Sequence, residues 1–167
     1  MADYFTDLLN SYRAKGAFVD ANLLLVYFVG SYDRRLITKF KRTIAYTEDD
    51  FDLLTAIIAF FSNVVTTPNV LTEVNGLSNQ LPESSRSSYY SEFANRVDTL
   101  EEHFIESRLA SHSSHFTKFG LTDSGIIELV KDKYLVITDD LRLAHYCENI
   151  GVDVINFNHI RTMNWNP

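Results

Sequence analysis

The sequence has few of the residues that mark extracellular, disordered or membrane proteins. Its 167 residues include one cysteine, Cys147, which excludes an internal disulfide and a cysteine-based zinc site. Three prolines and six glycines are too few for a disordered chain. The apolar runs are too short to span a bilayer, and the start, MADYFTDLLNSYRAKG, is amphipathic without a basic n-region or cleavage site. These absences predict a single cytoplasmic domain over residues 1–167, with no membrane partner.

Positive charge is also scarce. Lysine and arginine total 15 against 22 acidic residues, and the net charge of −7 argues against indiscriminate binding of nucleic acid. Phe40 and Tyr46 could be core residues rather than platforms on which bases stack. One segment, DRRLITKFKR, is locally basic, and its cations either contact RNA phosphates beside an acidic site or form a solvated helix face. The five cations of this basic segment are Arg34, Arg35, Lys39, Lys41 and Arg42.

Hydrophobic residues make up 46% of the chain and alternate between strand and helix patterns. Short Val- and Ile-rich stretches predict four strands: AFVDA, NVVTT, YLVIT and VDVINF. Short apolar strands separated by helices predict an α/β fold of three layers, α/β/α, around a mostly parallel central sheet. The first two predicted helices are residues 4–14 and 22–32. The next helix is capped by Thr47, and another begins at Pro68. A long polar helix covers 84–111, a further helix is capped by Thr122 or Asp123, and the last covers 140–150 and ends at Gly151.

Four carboxylates are predicted to meet at one edge of this sheet. Asp20 ends the first strand, and Asp140 lies just past YLVIT. Glu73 lies in the second turn of the helix after NVVTT, and Asp123 opens another helix. In open parallel sheets, ligands bind outside the carboxyl ends of the strands. Two like charges about 4 Å apart repel by ~4 kcal/mol at an effective dielectric near 20, and a hard cation such as Mg²⁺ or Mn²⁺ relieves that repulsion.

Most of these acids also have a purely structural interpretation. Asp123 in LTDSG is a typical helix N-cap, as is Asp139 or Asp140 in TDDLRLA. Glu73 alone would be an ordinary exposed helix residue. Asp20 is the exception, because a carboxylate between an apolar strand and an apolar helix is seldom incidental. The prediction of a site therefore depends on the whole set and on its order along the chain.

The order of these motifs resembles the PIN domain, a family of mostly metal-dependent ribonucleases that includes the VapC-type toxins. FVDANLLL is similar to the first motif, an apolar strand ending in Asp with Asn or Ser two residues later. TPNVLTEV is similar to the second, a helix that bears an acidic residue, and LTDSGIIEL to the third. The most specific likeness is LVITDDLRLAHYCENIGVDVINF, where Thr138 and Asp140 match Thr, any residue and Asp after a strand. The likeness covers nearly the whole chain.

The resemblance implies endonucleolytic hydrolysis of RNA. The three aspartates would hold Mg²⁺ or Mn²⁺, while Glu73 would join the same cluster or orient the attacking water. Asn22 and Thr138 would orient carboxylates. An antitoxin or another inhibitory protein, and a second copy of the chain in a homodimer, are the further partners that the resemblance implies. The four acids to which it assigns catalysis are Asp20, Glu73, Asp123 and Asp140.

Two other functions are considered beside the ribonuclease. A catalytically silent PIN-like module for RNA binding or assembly would not need the four acids. A phosphotransfer domain would lack its expected pair of acids after an early strand, and it would leave Glu73 unexplained. The long interval from Glu73 to Asp123 and the extra N-terminal helix differ from the toxins, so the activity is predicted more firmly than a toxin role. The single tryptophan, Trp165, is predicted to pack against the domain.

Overall fold

A sheet of five parallel strands lies at the centre of the computed structural model, which describes the backbone of residues 2–162 and the side chains of residues 4–162. The strand order is β3-β2-β1-β4-β5, and every neighbouring pair is parallel. This confirms the predicted α/β fold. Trp165 lies outside the described residues. The strands are β1 (Ala17–Val19), β2 (Val64–Thr66), β3 (Glu101–Glu102), β4 (Leu135–Thr138) and β5 (Val154–Asn156).

Helices cover both faces of the sheet and complete the three-layer α/β/α arrangement. Helix α2 packs against α3, α4 and α5, while α8 packs on β4 and β5. Within the described residues, no helix has the length and apolar character needed to cross a membrane. The nine α-helices of this part of the chain are α1 (Ala2–Tyr12), α2 (Ala21–Tyr32), α3 (Glu48–Phe60), α4 (Pro68–Ser78), α5 (Glu83–Val97), α6 (Ser107–Ser111), α7 (Phe116–Val130), α8 (Leu141–Asn149) and α9 (Phe157–Arg161).

Local sequence signals explain where several of these helices begin. Thr47 caps α3 in a capping box, in which its hydroxyl accepts the Asp50 N–H and the Asp50 carboxylate accepts the Thr47 N–H. Thr67 caps α4, and Pro68 occupies the first helical position, where a missing N–H has no consequence. Just after the C-terminal end of α8, Gly151 adopts φ 75°, in the left-handed region that favours glycine.

The prediction of one long helix over residues 84–111 is wrong. The chain leaves the helical conformation after Val97, forms the edge strand β3 at Glu101 and Glu102, and becomes helical again only at Ser107. Both strand residues are exposed and charged, so no apolar alternation signals a strand here. Backbone pairing with β2 makes the strand, and charged side chains on a short edge strand discourage pairing with another chain.

The core lies on both faces of the sheet and is one continuous cluster of buried apolar side chains. Helix α2 contributes most to it, because nine of its twelve residues are buried. A helix that is apolar on all sides has to be covered on all sides. The position of α2, directly after β1 and beneath α3, α4 and α5, meets that requirement and fixes the end of β1 in the protein interior.

Candidate active site

The strand order creates a crevice between the carboxyl ends of β1 and β4. From β1 the chain moves outward through β2 to β3, and from β4 it moves in the opposite direction to β5. The connections therefore diverge at this point, and such a switch point is where ligands bind in open parallel sheets. Asp20 directly follows β1, and Asp140 lies two residues beyond the end of β4.

All four predicted acids line one pocket at this switch point, with a volume of about 130 Å³. Asp20 forms its buried part, Asp123 is half-buried, and Glu73 and Asp140 are exposed at the rim. Asn22 also lines the rim. We call this the acidic pocket. Four elements contribute its acids, namely the end of β1, helix α4, helix α7 and the turn before α8.

The register of the sheet places Thr138 beside Asp20. Strands β1 and β4 pair Val19 with Ile137, so the next residues of the two strands are neighbours. The Thr138 hydroxyl donates a short hydrogen bond to Asp20 Oδ2, and its oxygen accepts the Asp140 N–H at 3.0 Å. The Thr138 hydroxyl thus contacts the carboxylate of Asp20 and the backbone N–H of Asp140. Such contacts are expected of a residue that orients carboxylates.

Asp20 is the most enclosed of the four acids, with 6% of its surface exposed. Oδ1 caps α2 by accepting the Leu23 N–H at 2.9 Å, and Oδ2 also accepts the Asp139 N–H at 3.0 Å. Burial, followed by the negative charge of Asp139, raises the pKa of Asp20 to about 8, although the hydrogen bonds oppose the rise. An uncharged Asn, Ser or Thr would also cap the helix. Capping therefore does not explain a carboxylate at this position.

Asp140 combines a structural contact with an accessible oxygen. Its Oδ1 accepts the N–H groups of Arg142 at 2.7 Å and Leu143 at 3.2 Å, which makes it the N-cap of α8. Both bonds end on Oδ1, so within the described residues Oδ2 is left to the pocket. The N-cap interpretation of Asp140 is therefore correct, and it does not compete with a role in the pocket.

Asp123 is placed by a break in helix α7. Gly120 has φ 75° and ψ −167°, which interrupts the helix between Phe116 and Val130. The prediction that Thr122 or Asp123 caps this helix is wrong, because both residues already lie inside the helical segment that follows Gly120. Without a capping bond, the Asp123 carboxylate is directed to the pocket.

The other acids of the pocket act electrostatically on Asp123. Burial is the largest cause that raises its pKa to about 6, and the negative charges of Asp140 and then Glu73 add to the rise. Arg142 opposes it. Asp140 and Glu73 thus lie close enough to Asp123 for their charges to act on its carboxyl group.

Contacts with Asp139, which does not line the pocket, were not predicted. The Tyr46 hydroxyl donates a short hydrogen bond to Asp139 Oδ2, and Asn22 Nδ2 donates to Oδ1 at 3.4 Å. Asn22 therefore orients Asp139, which stands at the variable position of the motif, rather than one of the four acids. Burial and Asp139 raise the pKa of Tyr46, so its hydroxyl keeps its proton. Tyr46 is 93 positions away from Asp139, and no local pattern connects the two.

Opposite charges neutralise part of the basic segment. Arg34 forms ion pairs with Glu48, through a short contact, and with Asp52 at 2.6 Å, and Arg35 pairs with Asp33 at 3.0 Å. The segment begins with a 3-10 turn over Arg34–Leu36 and continues in turns, so it has no solvated helix face. The pairs argue against the two arginines as phosphate contacts.

The remaining members of the basic segment are exposed to solvent. Arg42 donates to Gln80 Oε1 at 3.2 Å, and among the described residues Lys39 and Lys41 form no ion pair with a carboxylate. Phe40 and Tyr46 are both buried, with 6% exposed, so neither can stack on a base. The three cations stay candidates for RNA contacts, without an aromatic surface beside them.

The donors of the acidic pocket suit a hard divalent cation. Its carboxylates and the Asn22 amide all offer oxygen, the ligand that Mg²⁺ and Mn²⁺ prefer, and the repulsion that raises the pKa of Asp123 is what a cation relieves. Across residues 4–162, no three His, Cys, Asp or Glu side chains stand in an arrangement that could hold a metal ion. The acids thus offer the oxygen ligands and the charge that Mg²⁺ or Mn²⁺ prefers and line one pocket, but as placed they do not form a ready metal site.

Comparisons with known proteins supply no relative from which a function can be transferred. The chain matches no protein-family model, no curated protein and no solved structure. The interpretation of the acidic pocket therefore depends on its own residues, and the resemblance to PIN domains stays a prediction.

Proposed function

We propose that the chain is a metal-dependent endoribonuclease of the PIN type, with the acidic pocket as its active site and Mg²⁺ or Mn²⁺ as its cofactor. One observation carries the proposal: acids from four separate elements converge on a pocket at the switch point of the sheet. Like charges brought together in this way destabilise a fold unless a ligand compensates them. The choice of RNA as substrate rests on the resemblance of the motifs to those of PIN nucleases.

The four acids have distinct roles in this proposal. Asp20, Asp123 and Asp140 would hold the cation, and a bound cation lowers the pKa of a coordinated water and stabilises charge that develops on the phosphate. Glu73, exposed at the rim, has the freedom to join them or to accept a hydrogen bond from the attacking water. Asp140 keeps Oδ1 for the backbone of α8, so its contribution to the pocket comes from Oδ2.

Neighbouring hydrogen bonds would keep these acids in position. Thr138 donates to Asp20 and accepts from the backbone of Asp140, so one hydroxyl sets the relative placement of two acids. Asn22 and Tyr46 hold Asp139, whose backbone N–H in turn contacts Asp20. These contacts restrict the side chains before a substrate binds, which is how a rigid scaffold supports catalysis.

The test is cleavage of labelled single-stranded and structured RNA by the purified protein, with Mn²⁺ or with EDTA. Cleavage in Mn²⁺ that EDTA stops is expected. Asp140→Asn should abolish it while retaining the fold, because Asn caps a helix about as well as Asp. Asp49→Asn is the matched control, since this carboxylate is exposed and does not line the pocket. Wild-type rates in Asp140→Asn, with contamination excluded, would contradict the proposal.

The same assay separates the alternatives. A protein that binds RNA in EDTA but never cleaves it in Mn²⁺ would be a silent RNA-binding module. The proposal concerns the reaction rather than its biological role. A toxin would be indicated by a second protein that binds the chain and stops cleavage, as an antitoxin does.

A further inference from the structure

Two cations that are far apart in the sequence meet beside the acidic pocket. Arg142 lies two residues beyond Asp140, whose Oδ1 accepts its backbone N–H at 2.7 Å. Its guanidinium Nη2 donates to the backbone oxygen of Lys118 at 3.4 Å. Both residues are exposed. We call Lys118 and Arg142 the cation pair; it lies where α7 and α8 border the pocket.

Aromatic rings hold the cation pair. The Lys118 ammonium lies 5.1 Å from the ring centroid of Phe119 and 5.1 Å from that of Tyr146. The Arg142 guanidinium lies 5.9 Å from the Phe119 centroid. The two rings pack edge to face at 4.7 Å, so they form one support. A ring attracts a cation but carries no net charge, and both positive charges therefore stay available to an anion.

The surroundings of the cation pair differ from those of Arg34 and Arg35. Among the described residues, neither Lys118 nor Arg142 forms an ion pair with a carboxylate. Arg142 is nevertheless close enough to the pocket for its charge to lower the pKa of Asp123. The pair is thus exposed and positive, and Arg142 brings it within electrostatic reach of Asp123 without forming an ion pair.

We propose that the cation pair binds a phosphate of the polynucleotide next to the one that is cleaved in the acidic pocket. This inference rests on the proposed nuclease function. An acidic pocket in a chain of net charge −7 repels a polyanion, so the binding free energy has to come from positive charge near the pocket. Lys118 and Arg142 supply it on the side of α7 and α8.

The test is binding of a fluorescent single-stranded RNA in EDTA at several salt concentrations, so that cleavage does not interfere. Lys118→Gln/Arg142→Gln removes both charges and keeps most of each side-chain stem. On single strands, each neutralised phosphate contributes a slope of about 0.7 to the fall of log affinity with log salt. The double variant, which loses the contact with one phosphate, is therefore expected to lose about 0.7 from the slope and about tenfold in affinity at low salt.

Lys131→Gln/Lys133→Gln is the matched control. These two exposed lysines precede β4, at the edge of the sheet opposite the pocket, and the change in net charge is the same. The control is expected to keep the wild-type slope. Lys118→Arg/Arg142→Lys, which retains both charges, is expected to keep it as well. Equal losses of slope in both glutamine variants would overturn the proposal, because they would reflect net charge alone.

Cleavage kinetics in Mn²⁺ distinguish this inference from the nuclease proposal. The glutamine variant of the cation pair is expected to raise KM with little change in kcat, because the pair contacts substrate away from the reacting atoms. Unchanged KM and salt slope would overturn the inference and leave the nuclease. Wild-type binding that depends on the pair, without cleavage, would refute the nuclease and retain the pair as a phosphate contact. A wild type that does not bind RNA would overturn both.

Discussion

The acidic pocket and the basic segment both concentrate charge, but the pKa values of their carboxyl groups move in opposite directions. In the pocket, burial and neighbouring acids raise the pKa of Asp20 to about 8 and that of Asp123 to about 6. In the basic segment, hydrogen bonds from Arg35 and Arg34 lower the pKa of Asp33 and Asp52. Like charges meet in the first region, and opposite charges meet in the second.

This difference separates a structural arrangement of charge from a functional one. Opposite charges that pair on the surface need no ligand, and each pair contributes little to the free energy of folding. Like charges that converge oppose folding, so a fold that retains them points to something that binds there. The same reasoning favours the cation pair over Arg34 and Arg35 as the phosphate contact, since rings leave its charge uncompensated.

The largest effect on RNA cleavage is expected when a charge is removed from the pocket. Asp123→Asn is expected to lower the rate of RNA cleavage in Mn²⁺ by about 100-fold or more, because a metal ion contributes several kcal/mol of stabilisation to the transition state. The measurement is a single-turnover rate on labelled RNA. Asp49→Asn serves again as the control and should cleave like the wild type.

The same substitution should stabilise the fold when metal is absent. No hydrogen bond contributes to the pKa of Asp123, so an Asn amide displaces no donor while it removes the repulsion. In EDTA at pH 7 the variant is expected to gain about 1 kcal/mol, a rise of roughly 2–4 °C in Tm. A variant that melts well below the wild type would show that Asp123 is structural, and the contrast between the two regions would fail.

An effect on cleavage smaller than that of Asp123→Asn is expected from Thr138→Val, which removes the hydroxyl and keeps the shape of the side chain. Asp20 then loses a donor, and the Asp140 N–H loses its acceptor. Loss of such an orienting contact lowers metal affinity or activity by about 10- to 100-fold. Titration of cleavage with Mn²⁺ checks this, and Thr138→Ser should restore most of the affinity. Equal Mn²⁺ dependence in wild type and valine variant would contradict the role of Thr138.

The pH dependence of stability also distinguishes the acidic pocket from the basic segment. An acid whose pKa is raised by folding stabilises the fold fully below its unfolded value, and that stability is lost as pH rises through the folded value. In EDTA, the free energy of unfolding is therefore expected to fall between about pH 4 and pH 8, by on the order of 1 kcal/mol or more, with Asp123 contributing up to about pH 6 and Asp20 over the whole interval. Asp123→Asn should make the curve less steep between about pH 4 and 6 and leave it unchanged above.

The acids that pair with the arginines of the basic segment change stability with pH in the opposite direction. Asp33 and Asp52 have lowered pKa values, so their contribution is present above about pH 4 and is lost only in stronger acid. Urea unfolding from pH 3 to 8 in EDTA measures both effects. A stability that rises steadily from pH 4 to 8 in the wild type would contradict the electrostatic description of the pocket.

The smallest effect is expected in the basic segment itself. Arg34→Gln/Arg35→Gln should change RNA affinity in EDTA by less than about twofold, because each guanidinium already has a carboxylate partner. Lys39→Gln/Lys41→Gln removes two exposed charges of the same segment and should have the larger effect. If the arginine variant loses more affinity and more salt slope than the lysine variant, the ion pairs open on binding and the segment is an RNA surface.

Much of the fold could be predicted because its signals are local. Apolar strands interrupted by helices predicted the layers, and the cap Thr47 and the proline Pro68 predicted where α3 and α4 begin. The edge strand β3 could not be predicted, since its two exposed glutamates form a strand only through pairing with β2. The break at Gly120 was missed as well, because a lone glycine does not reveal the φ that its neighbours impose.

The site was predicted in part. Placing Asp20, Glu73, Asp123 and Asp140 at one edge needed only the polarity of parallel strands, and all four line one pocket. The contact of Asn22 with Asp139 rather than with one of these acids was not predicted, and neither was Tyr46. A hydrogen bond between residues 93 positions apart depends on how two elements pack, which no spacing rule describes.

The sequence by itself determined the class of fold, the strand ends that carry acids and caps such as Thr47 and Asp140, because these depend on interactions within a few positions of the chain. Tertiary structure decided which charges are neutralised by distant residues. Arg34 pairs with Glu48 and Asp52 of α3, whereas Lys118 and Arg142 come together on two aromatic rings. The electrostatic energy of a charge is set by its neighbours in space, and packing brings those neighbours from distant parts of the chain.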